Sequence, residues 1–247
     1  MKYEAKNDGS GNAVSTTSGI PWVSINQTDA ITAATASGGH LITESEWMTI
    51  AADVLSVKYN WSGGEVGSGY IFQGHVNNNP VSALAASTDD SDGLNSITGG
   101  TGSTSGMNSQ RTLLLSSGET IWDFSGNVWE WTQQAVGTPT LTVSQIGVSG
   151  DSAFIWREWN LGSLSMGNLA ANSRPSALTA TAGLSDITSW NASKGIGRVY
   201  SSYADAGTRA FLRGGGWSHA SGAGVLALSL NTAASYSYTT VGFRVAR

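Results

Sequence analysis

The last part of the chain, residues 212–247, constrains the fold most because two short motifs enclose it. It opens on Arg-Gly-Gly-Gly-Trp at 213–217 and closes on Gly-Phe-Arg-Val-Ala-Arg at 242–247. Between them, an apolar run at 225–230, interrupted by Ser229, predicts a buried strand. The positions around this run hold almost only Ser, Gly, Thr, Asn, His and Tyr. The pattern indicates a rigid frame that carries interchangeable surface residues, and Trp217 is predicted to lie in the core.

The first helix is predicted at 27–36, after a strand at 20–25. Asn26 or Thr28 would cap its N-terminus, and the glycines at 38–39 would end it.

A second helix is predicted to begin at Thr43, after a short strand at 40–42. Thr43 and Glu46 form a capping-box pattern. Its apolar residues recur at helical spacing on one face: Trp47, Ile50, Ala51, Val54 and Leu55. Capping and packing therefore account for Glu44, Glu46 and Trp47 without a further role.

A third motif, residues 122–132, reads Trp-Asp-Phe-Ser-Gly-Asn-Val-Trp-Glu-Trp-Thr. Residues 38–47 contain Gly-Gly, then a short apolar segment, then Thr-Glu-x-Glu-Trp. Together, these two motifs resemble those of the formylglycine-generating enzymes and their relatives. His40 stands where those proteins usually have Arg, so it stays open whether His40 makes the polar contact that this Arg makes in them.

The same resemblance implies a structural Ca²⁺ site. In calcium-binding members, the ligands are the positions that match Asp123 and Glu130, with the backbone carbonyls of Gly126 and Val128. Two carboxylates and two carbonyls suit Ca²⁺. The alternative is that both acids satisfy backbone donors in a turn packed by tryptophans.

The C-terminal frame resembles that of diversity-generating retroelement variable proteins. These are ligand-binding proteins in which a retroelement rewrites selected codons by mutating adenines. Asn codons are the usual targets, and changing the adenines of AAC gives Ser, His, Gly, Thr or Tyr among others. The resemblance implies a variable, ligand-binding surface within about 213–244. Its predicted residues are Ser218, His219, Ser221, Gly222, Ser229, Asn231, Thr232, Tyr236, Tyr238 and Thr240.

Residue types alone fit a simpler explanation, because Gly-, Ser- and Thr-rich loops occur in many all-β proteins. The flanking motifs favour the retroelement. Tyr236 and Tyr238 would share one face of an extended segment, and Tyr with Ser, Gly and Asn is the composition of antibody-like binding surfaces. Ordinary strand packing is the alternative for this pair.

The predicted fold is α+β: a C-type lectin-like fold of the formylglycine-generating-enzyme type, with short antiparallel strands, two helices and long loops. A polar segment, 1–19, precedes a single ligand-binding domain, 20–247. The charged share of 12% against a usual ~25%, together with 32 glycines, agrees with few helices and many turns. Further strands are predicted at 112–115, 139–152, 198–200 and 210–212, and residues 154–159 are predicted as a strand or a short turn.

Two stretches match the family least. Residues 60–109 are predicted as long loops packed on the body, and 162–203 as an insertion. Asp89, Asp90 and Asp92 suggest calcium, but their spacing lacks the later ligands of an EF-hand loop, so a solvated acidic turn is favoured.

Enzymatic activity is not predicted, and no catalytic residue or required cofactor is proposed. The chain has no cysteine, which excludes thiol catalysis and a cysteine-held metal. His40, His75 and His219 are isolated and lack metal-ligand spacing. A formylglycine-type oxidase is therefore the weaker alternative. A fixed lectin-like binder of carbohydrate or protein also stays open, although the Glu-Pro-Asn and Gln-Pro-Asp motifs of many calcium-dependent lectins do not occur.

The predicted partner is an unknown protein ligand, such as a cell-surface receptor. A nucleic acid is not expected, because the net charge is −5 and the 12 Lys and Arg residues are scattered. No apolar run approaches the ~20 residues of a membrane span. Residues 1–14 lack a signal-peptide pattern, yet the family resemblance implies an extracellular, virion or cell-surface location. No heptad repeat predicts a coiled coil with a partner chain, so a monomer is favoured.

Overall fold

The computed structural model describes residues 1–93, 110–178, 184 and 187–247. Parts of the predicted loop at 60–109 and of the predicted insertion at 162–203 lie outside the described residues, as does the side chain of Asp92.

Both predicted helices are confirmed. Helix α1 covers Gln27–Ala36, and Asn26 caps it by accepting a hydrogen bond from the backbone N–H of Asp29 at 2.9 Å. Helix α2 covers Glu44–Ser56 and begins with the full capping box, in which Thr43 Oγ1 accepts from Glu46 N at 3.2 Å and Glu46 Oε2 accepts from Thr43 N at 2.9 Å.

The strand predicted at 20–25 is wrong. Ser24 has a positive φ of 58°, which breaks an extended backbone. The backbone of the segment also bonds to distant parts of the chain: Trp22 N donates to Ala5 O, and Ser24 N donates to Tyr238 O. The segment is therefore irregular chain that is hydrogen-bonded to the N-terminal segment and to the loop that contains Tyr238.

The described strands are short, and Gly-rich turns join many of them. They are β1 (Lys6–Asn7), β2 (Ala13–Val14), β3 (His40–Leu41), β4 (Thr112–Leu114), β5 (Thr120–Trp122), β6 (Trp129–Thr132), β7 (Leu141–Val143), β8 (Ile146–Val148), β9 (Ile155–Arg157), β10 (Leu164–Met166), β11 (Val199–Ser201), β12 (Gly207–Gly214), β13 (Gly224–Thr232), β14 (Val241–Phe243) and β15 (Val245–Ala246). Single 3₁₀ turns occur at Lys58–Asn60, Asp90–Gly93, Ala171–Ser173, Pro175–Ala177, Ile187–Ser189, Ala192–Lys194 and Ala220–Gly222.

The central sheet has the order β14-β6-β12-β13-β11-β9, and β7 pairs with the start of β12. Most neighbours are antiparallel, as predicted, but β14–β6 and β11–β13 are parallel. Small two-stranded ladders join β1 to β2, β3 to β15, β4 to β5 and β8 to β10. The result is a mixed α+β architecture with few helices, short strands and long connections.

Strand register places one row of large side chains across a single face of this sheet. Residues paired in neighbouring strands point to the same face. The row runs through Trp156, Tyr200, Ser229, Leu212, Trp131 and Phe243. Alanines of α1 pack on its Trp131 and Phe243 end, so the end at β9 and β11 is left for a surface site.

The other face of the sheet packs against α2. Trp47 of α2 is fully buried there, stacks on Phe124 with ring centroids 4.0 Å apart, and donates from Nε1 to Val225 O at 2.8 Å. The predicted apolar face of α2 is confirmed, with Ile50 only partly buried.

The polar segment 1–19 packs against the last strands. Ala5 is fully buried and its N–H donates to Phe243 O at 2.9 Å, while the Met1 ammonium group donates to Val245 O at 2.9 Å. These residues therefore contribute to the same core. In the described part of the chain, neither helix is long and apolar enough to cross a bilayer.

Candidate functional site

A concave pocket of ≈ 370 Å³ lies on this face of the central sheet, at the end of the row formed by β9 and β11. It brings together eight of the ten residues predicted for ligand binding: Ser218, His219, Ser229, Asn231, Thr232, Tyr236, Tyr238 and Thr240. The remaining lining residues are Trp129, Trp156, Tyr200, Leu212 and Val241. We call this concavity the aromatic pocket.

Ser221 and Gly222, the other two predicted residues, lie outside the lining, in the 3₁₀ turn Ala220–Gly222. Ser221 is exposed, whereas Gly222 is buried against the ring of Trp156. A Cβ added at Gly222 would lie 3.3 Å from that ring, so even Ala there requires the ring of Trp156 to shift by a few tenths of an ångström.

Three aromatic residues that the sequence did not predict as binding residues contribute to the pocket. Trp156 lies between Trp129 and Tyr200, with ring centroids 6.1 Å and 4.9 Å away. In the sequence, Trp129 belongs to the motif at 122–132, and Trp156 and Tyr200 lie in segments predicted as strands or a short turn, with no binding role. Strand alternation in the sequence was the available signal, but the face that a strand presents depends on its pairing, which the sequence does not specify.

His219 joins the aromatic residues to the backbone of the Arg-Gly-Gly-Gly-Trp motif. Trp129 Nε1 donates to His219 Nε2 at 3.2 Å, so Nε2 carries no proton. The proton is on Nδ1, which faces Gly216 O at 3.3 Å. Burial lowers the pKa of His219 below its ordinary value. The imidazole is therefore neutral and oriented at neutral pH.

The loop between β13 and β14 forms one wall of the pocket. Tyr236 and Tyr238 stack with centroids 5.0 Å apart and an interplanar angle of 7°, and their residues are 40% and 54% exposed. They share a side as predicted, although residues 236–238 are irregular chain between turns at 234–235 and 239–240 and do not form a strand. Partial burial and the neighbouring Tyr238 raise the pKa of Tyr236, which stays protonated.

The backbone of this loop is held by donors from outside it. Ser24 N donates to Tyr238 O at 2.9 Å, Gln27 N to Ala234 O at 3.0 Å, and Trp129 N to Thr240 O at 2.9 Å. Because these bonds use carbonyl oxygens of the loop, its side chains can differ without removing them.

The remaining polar residues of the pocket form two groups, one exposed and one buried. Ser218 and Asn231 are exposed, while Ser229 and Thr232 are 4% and 5% exposed. Ser229 Oγ donates to Asn231 Oδ1 at 2.8 Å. Thr232 Oγ1 is buried and has no hydrogen-bond partner among the described residues. With His219 neutral, the named lining residues carry no charge, so the pocket suits an uncharged group.

The predicted calcium ligands are already bonded to arginines. Arg111 binds the Asp123 carboxylate through Nε at 2.7 Å and Nη2 at 2.6 Å, and Arg244 binds Glu130 through Nη2 at 2.8 Å and Nε at 3.1 Å. All four side chains are almost completely buried. Burial raises the pKa of Glu130, and the Arg244 guanidinium opposes that rise.

Because both carboxylates are already paired with guanidinium groups, the residues present do not fit a Ca²⁺ ion, and a calcium site stays a prediction of the resemblance alone. Each carboxylate has a guanidinium counterion where the metal would have to bind. Within the described ranges, no three His, Cys, Asp or Glu side chains converge on a metal position. The glycine of this loop has a steric role: Gly126 has φ +82°, and a Cβ there would lie 2.6 Å from Gln73 O.

The family motifs thus meet in buried ion pairs. Arg213 of the C-terminal frame binds Glu44 of α2, with Nη2 at 2.5 Å from Oε2, and Thr132 Oγ1 donates to Glu44 Oε1 at 2.6 Å. Glu44 is an ion-pair partner and not a cap. Glu46 is the cap and also contacts His40 Nε2 at 2.8 Å, which gives His40 a polar partner.

Asp90, of the acidic turn, also has partners within the protein. It accepts from Lys2 Nζ at 2.8 Å and from Trp122 Nε1 at 2.7 Å, while Asp89 accepts from Ser91 in the same turn. These bonds fit a partly solvated turn that anchors the N-terminal segment.

A larger cavity, of ≈ 500 Å³, lies along α2 and contains none of the predicted binding residues. Its lining is Ser45, Met48, Thr49, Ala52, Asp53, Ser56, Asn172, Ala177 and Leu178. The one carboxylate in it, Asp53, already accepts hydrogen bonds from Ser116. The aromatic pocket is therefore the better candidate for recognition.

The family model described as sulfatase-modifying factor enzyme 1-like domain matches residues 2–247, nearly the whole chain. No curated protein matches the chain.

Proposed function

Because this chain belongs to the sulfatase-modifying factor enzyme 1-like family but has no cysteine, we propose that it is a ligand-binding member and not an enzyme. Its C-terminal surface residues would be diversified by a retroelement through adenine mutagenesis. One observation carries the proposal: eight residues of the types that Asn codons yield line a single pocket built on a buried frame.

The frame and the surface differ in what substitution costs. Trp131 and Phe243 are fully buried, and truncating such residues costs about 3–5 kcal/mol. Exposed positions such as Asn231, Tyr236 and Tyr238 usually change stability by less than about 0.5 kcal/mol. Variation at the surface is therefore compatible with folding, and the carbonyl-anchored loop supports that division.

The surroundings of the histidines support a binding role over oxidation. His40 contacts Glu46, and His219 bonds to Trp129. His75 Nε2 faces Ser82 O at 3.1 Å, and burial lowers its pKa. Each imidazole contacts a different partner, and in the described part of the chain no three His, Cys, Asp or Glu side chains converge on one position.

We propose a protein ligand, such as a cell-surface receptor, bound at an extracellular, virion or cell surface. Tyr236 and Tyr238 offer rigid contact area at low entropic cost, and Ser218 and Asn231 offer adaptable hydrogen bonds. Monomeric protein with this one site is the simplest arrangement.

The test is the DNA around the gene. We expect a near-copy of the sequence that encodes residues 213–244, next to a reverse-transcriptase gene and differing from it chiefly at adenines. Such a copy identifies the diversified codons directly. A complete locus without one contradicts the retroelement proposal and leaves a fixed lectin-like binder as the second candidate, which the family's fold favours.

A further inference from the structure

We propose that the aromatic pocket binds one ring of an uncharged sugar, with the apolar face of the ring on Trp156 and Tyr200. The ring hydroxyls would bond to Thr232, Asn231 and Ser218. This inference rests on the proposed binding of a cell-surface protein at the same site, and it adds that the group of this partner that enters the pocket is a sugar carried by the protein.

The aromatic residues supply the apolar half of this recognition. Trp156 is half-buried and packs near Trp129 and Tyr200, with rings 13° and 36° from parallel. The face of an aromatic ring is electron-rich and attracts the positive edge of a bound group. The C–H groups on one face of a pyranose present such an edge.

The hydroxyls and the amide supply the polar half. Thr232 lines the pocket, yet its Oγ1 is buried and unpartnered among the described residues. Buried polar groups are nearly always hydrogen-bonded, so this hydroxyl has capacity for one partner, which a bound ligand or a water molecule would supply. Asn231 and Ser218 are exposed beside it and can both donate and accept. A ligand with several hydroxyls matches these groups better than a purely apolar side chain does.

The electrostatics exclude a charged sugar. The pocket lining contains no Asp, Glu, Lys or Arg, and His219 is held neutral by its bond from Trp129. A carboxylate or phosphate would lose water there without gaining a counterion. The volume of ≈ 370 Å³ is near the lower end of ordinary ligand pockets, which limits the buried part to a small unit.

The first experiment titrates the full chain with methyl glycosides of glucose, galactose, mannose and N-acetylglucosamine. Intrinsic tryptophan fluorescence and ligand-observed NMR report binding, because Trp129 and Trp156 line the pocket. We expect saturable binding of at least one neutral glycoside, unchanged by EDTA, and at least about tenfold weaker binding of the matching uronic acid. N-acetyl-tryptophanamide serves as the surrogate for a protein side chain.

The inference is overturned if none of these glycosides binds, if the uronic acid binds equally well, or if only N-acetyl-tryptophanamide binds. These outcomes do not affect the retroelement proposal, which depends on the locus. Conversely, a locus without a template copy leaves the sugar titration fully informative.

Variants assign the binding to this pocket. Trp156→Ala should weaken glycoside binding about 30-fold, as loss of a central aromatic contact does. Thr232→Val keeps the shape and removes the unpartnered hydroxyl, so it should raise Tm while weakening the glycoside several-fold. Tyr59→Ala removes an aromatic residue that is 69% exposed and outside the lining, and it should leave binding unchanged.

Asn231→Ala, at an exposed position, keeps the test valid if Trp156→Ala does not fold. Unchanged glycoside affinity in both Thr232→Val and Asn231→Ala overturns the assignment.

Discussion

At the scale of single residues, the charged side chains of the family motifs stabilise the core and do not face solvent. Arg213 and Glu44 are both 0% exposed, and the Arg213 guanidinium also donates to the carbonyls of Leu226 and Ser173. Removing one partner of such a pair leaves the other charge buried without compensation, which costs far more than a surface pair contributes.

We therefore expect Arg213→Met to lower the free energy of unfolding by about 3–5 kcal/mol, as measured by urea denaturation. Lys58→Met is the matched control, because Lys58 and Glu65 are 49% and 74% exposed and 3.7 Å apart. Its effect should stay below about 0.5 kcal/mol. Equal losses in the two variants would contradict the structural role of the buried pair.

His219 gives a second expectation at this scale, for stability against pH. Burial lowers its pKa below the ordinary 6.5, so on acidification the unfolded chain takes up the proton before the folded one does. The free energy of unfolding must then fall as the pH drops below about 6.5, down to the lowered pKa. Above that range both states are neutral and His219 contributes no slope.

The measurement is urea denaturation of the wild type and His219→Gln across this pH range. Gln keeps an acceptor for Trp129 but does not titrate, so the stability advantage of the wild type should shrink on acidification. The other titrating groups, buried His75 and Glu4 among them, are present in both proteins and cancel in the difference. A difference that is constant with pH would show that His219 takes up its proton equally in both states.

At the scale of elements, α2 shows how a local signal determines a local structure. The hydroxyl of Thr43 satisfies Glu46 N, and the Glu46 carboxylate returns to Thr43 N. We expect Thr43→Ala to cost about 1 kcal/mol in thermal unfolding, the usual value of an N-cap. Thr49→Ala, at an exposed position inside the same helix, should be neutral or slightly stabilising. A neutral Thr43→Ala would mean that tertiary packing alone fixes the start of α2.

The same contrast explains how much of the molecule the sequence predicts. Both helices and their caps follow from residues within a few positions of each other. The strands at 112–114 and 224–232 follow from apolar runs. The predicted binding residues of the C-terminal segment follow from residue types between two motifs, and eight of the ten line one pocket.

Non-local pairing accounts for what the sequence does not predict. Trp156 and Tyr200 join the pocket because β9 pairs with β11, and β11 with β13, in one particular register. A shift of one residue would turn both rings to the other face. The counterions of Asp123 and Glu130 are equally non-local, since Arg111 and Arg244 come from other parts of the chain.

At the scale of the whole molecule, these ion pairs determine the expected response to calcium. A Ca²⁺ ion bound to the folded state at 100 times its Kd would stabilise the protein by about 2.7 kcal/mol. Because Asp123 and Glu130 are held by arginines, we expect the same Tm in excess EDTA and in millimolar CaCl₂. MgCl₂ at equal ionic strength controls for salt. A calcium-specific rise in Tm would show that an ion displaces one of the guanidinium groups.

The division between frame and surface gives the last expectation. We would randomise four positions at the same time: Ser218, Asn231, Tyr236 and Tyr238. The library would use codons in which the adenines of AAC vary, and folded variants would be selected by protease resistance. A domain has a net stability of only about 5–15 kcal/mol, so four substitutions at under about 0.5 kcal/mol each leave most variants folded. In the matched frame library, truncating Trp131 and Phe243 together would cost about 6–10 kcal/mol, which is comparable to the whole net stability and would unfold most variants.

Ser229 and Thr232 test the same division at its boundary. They line the pocket but are buried, so they should accept Ser, Thr, Ala or Val and reject Tyr and His. If the four exposed positions lost folded variants as often as the frame does, the pocket wall would belong to the core. The proposal of a freely diversified binding surface would then have no physical basis in this fold.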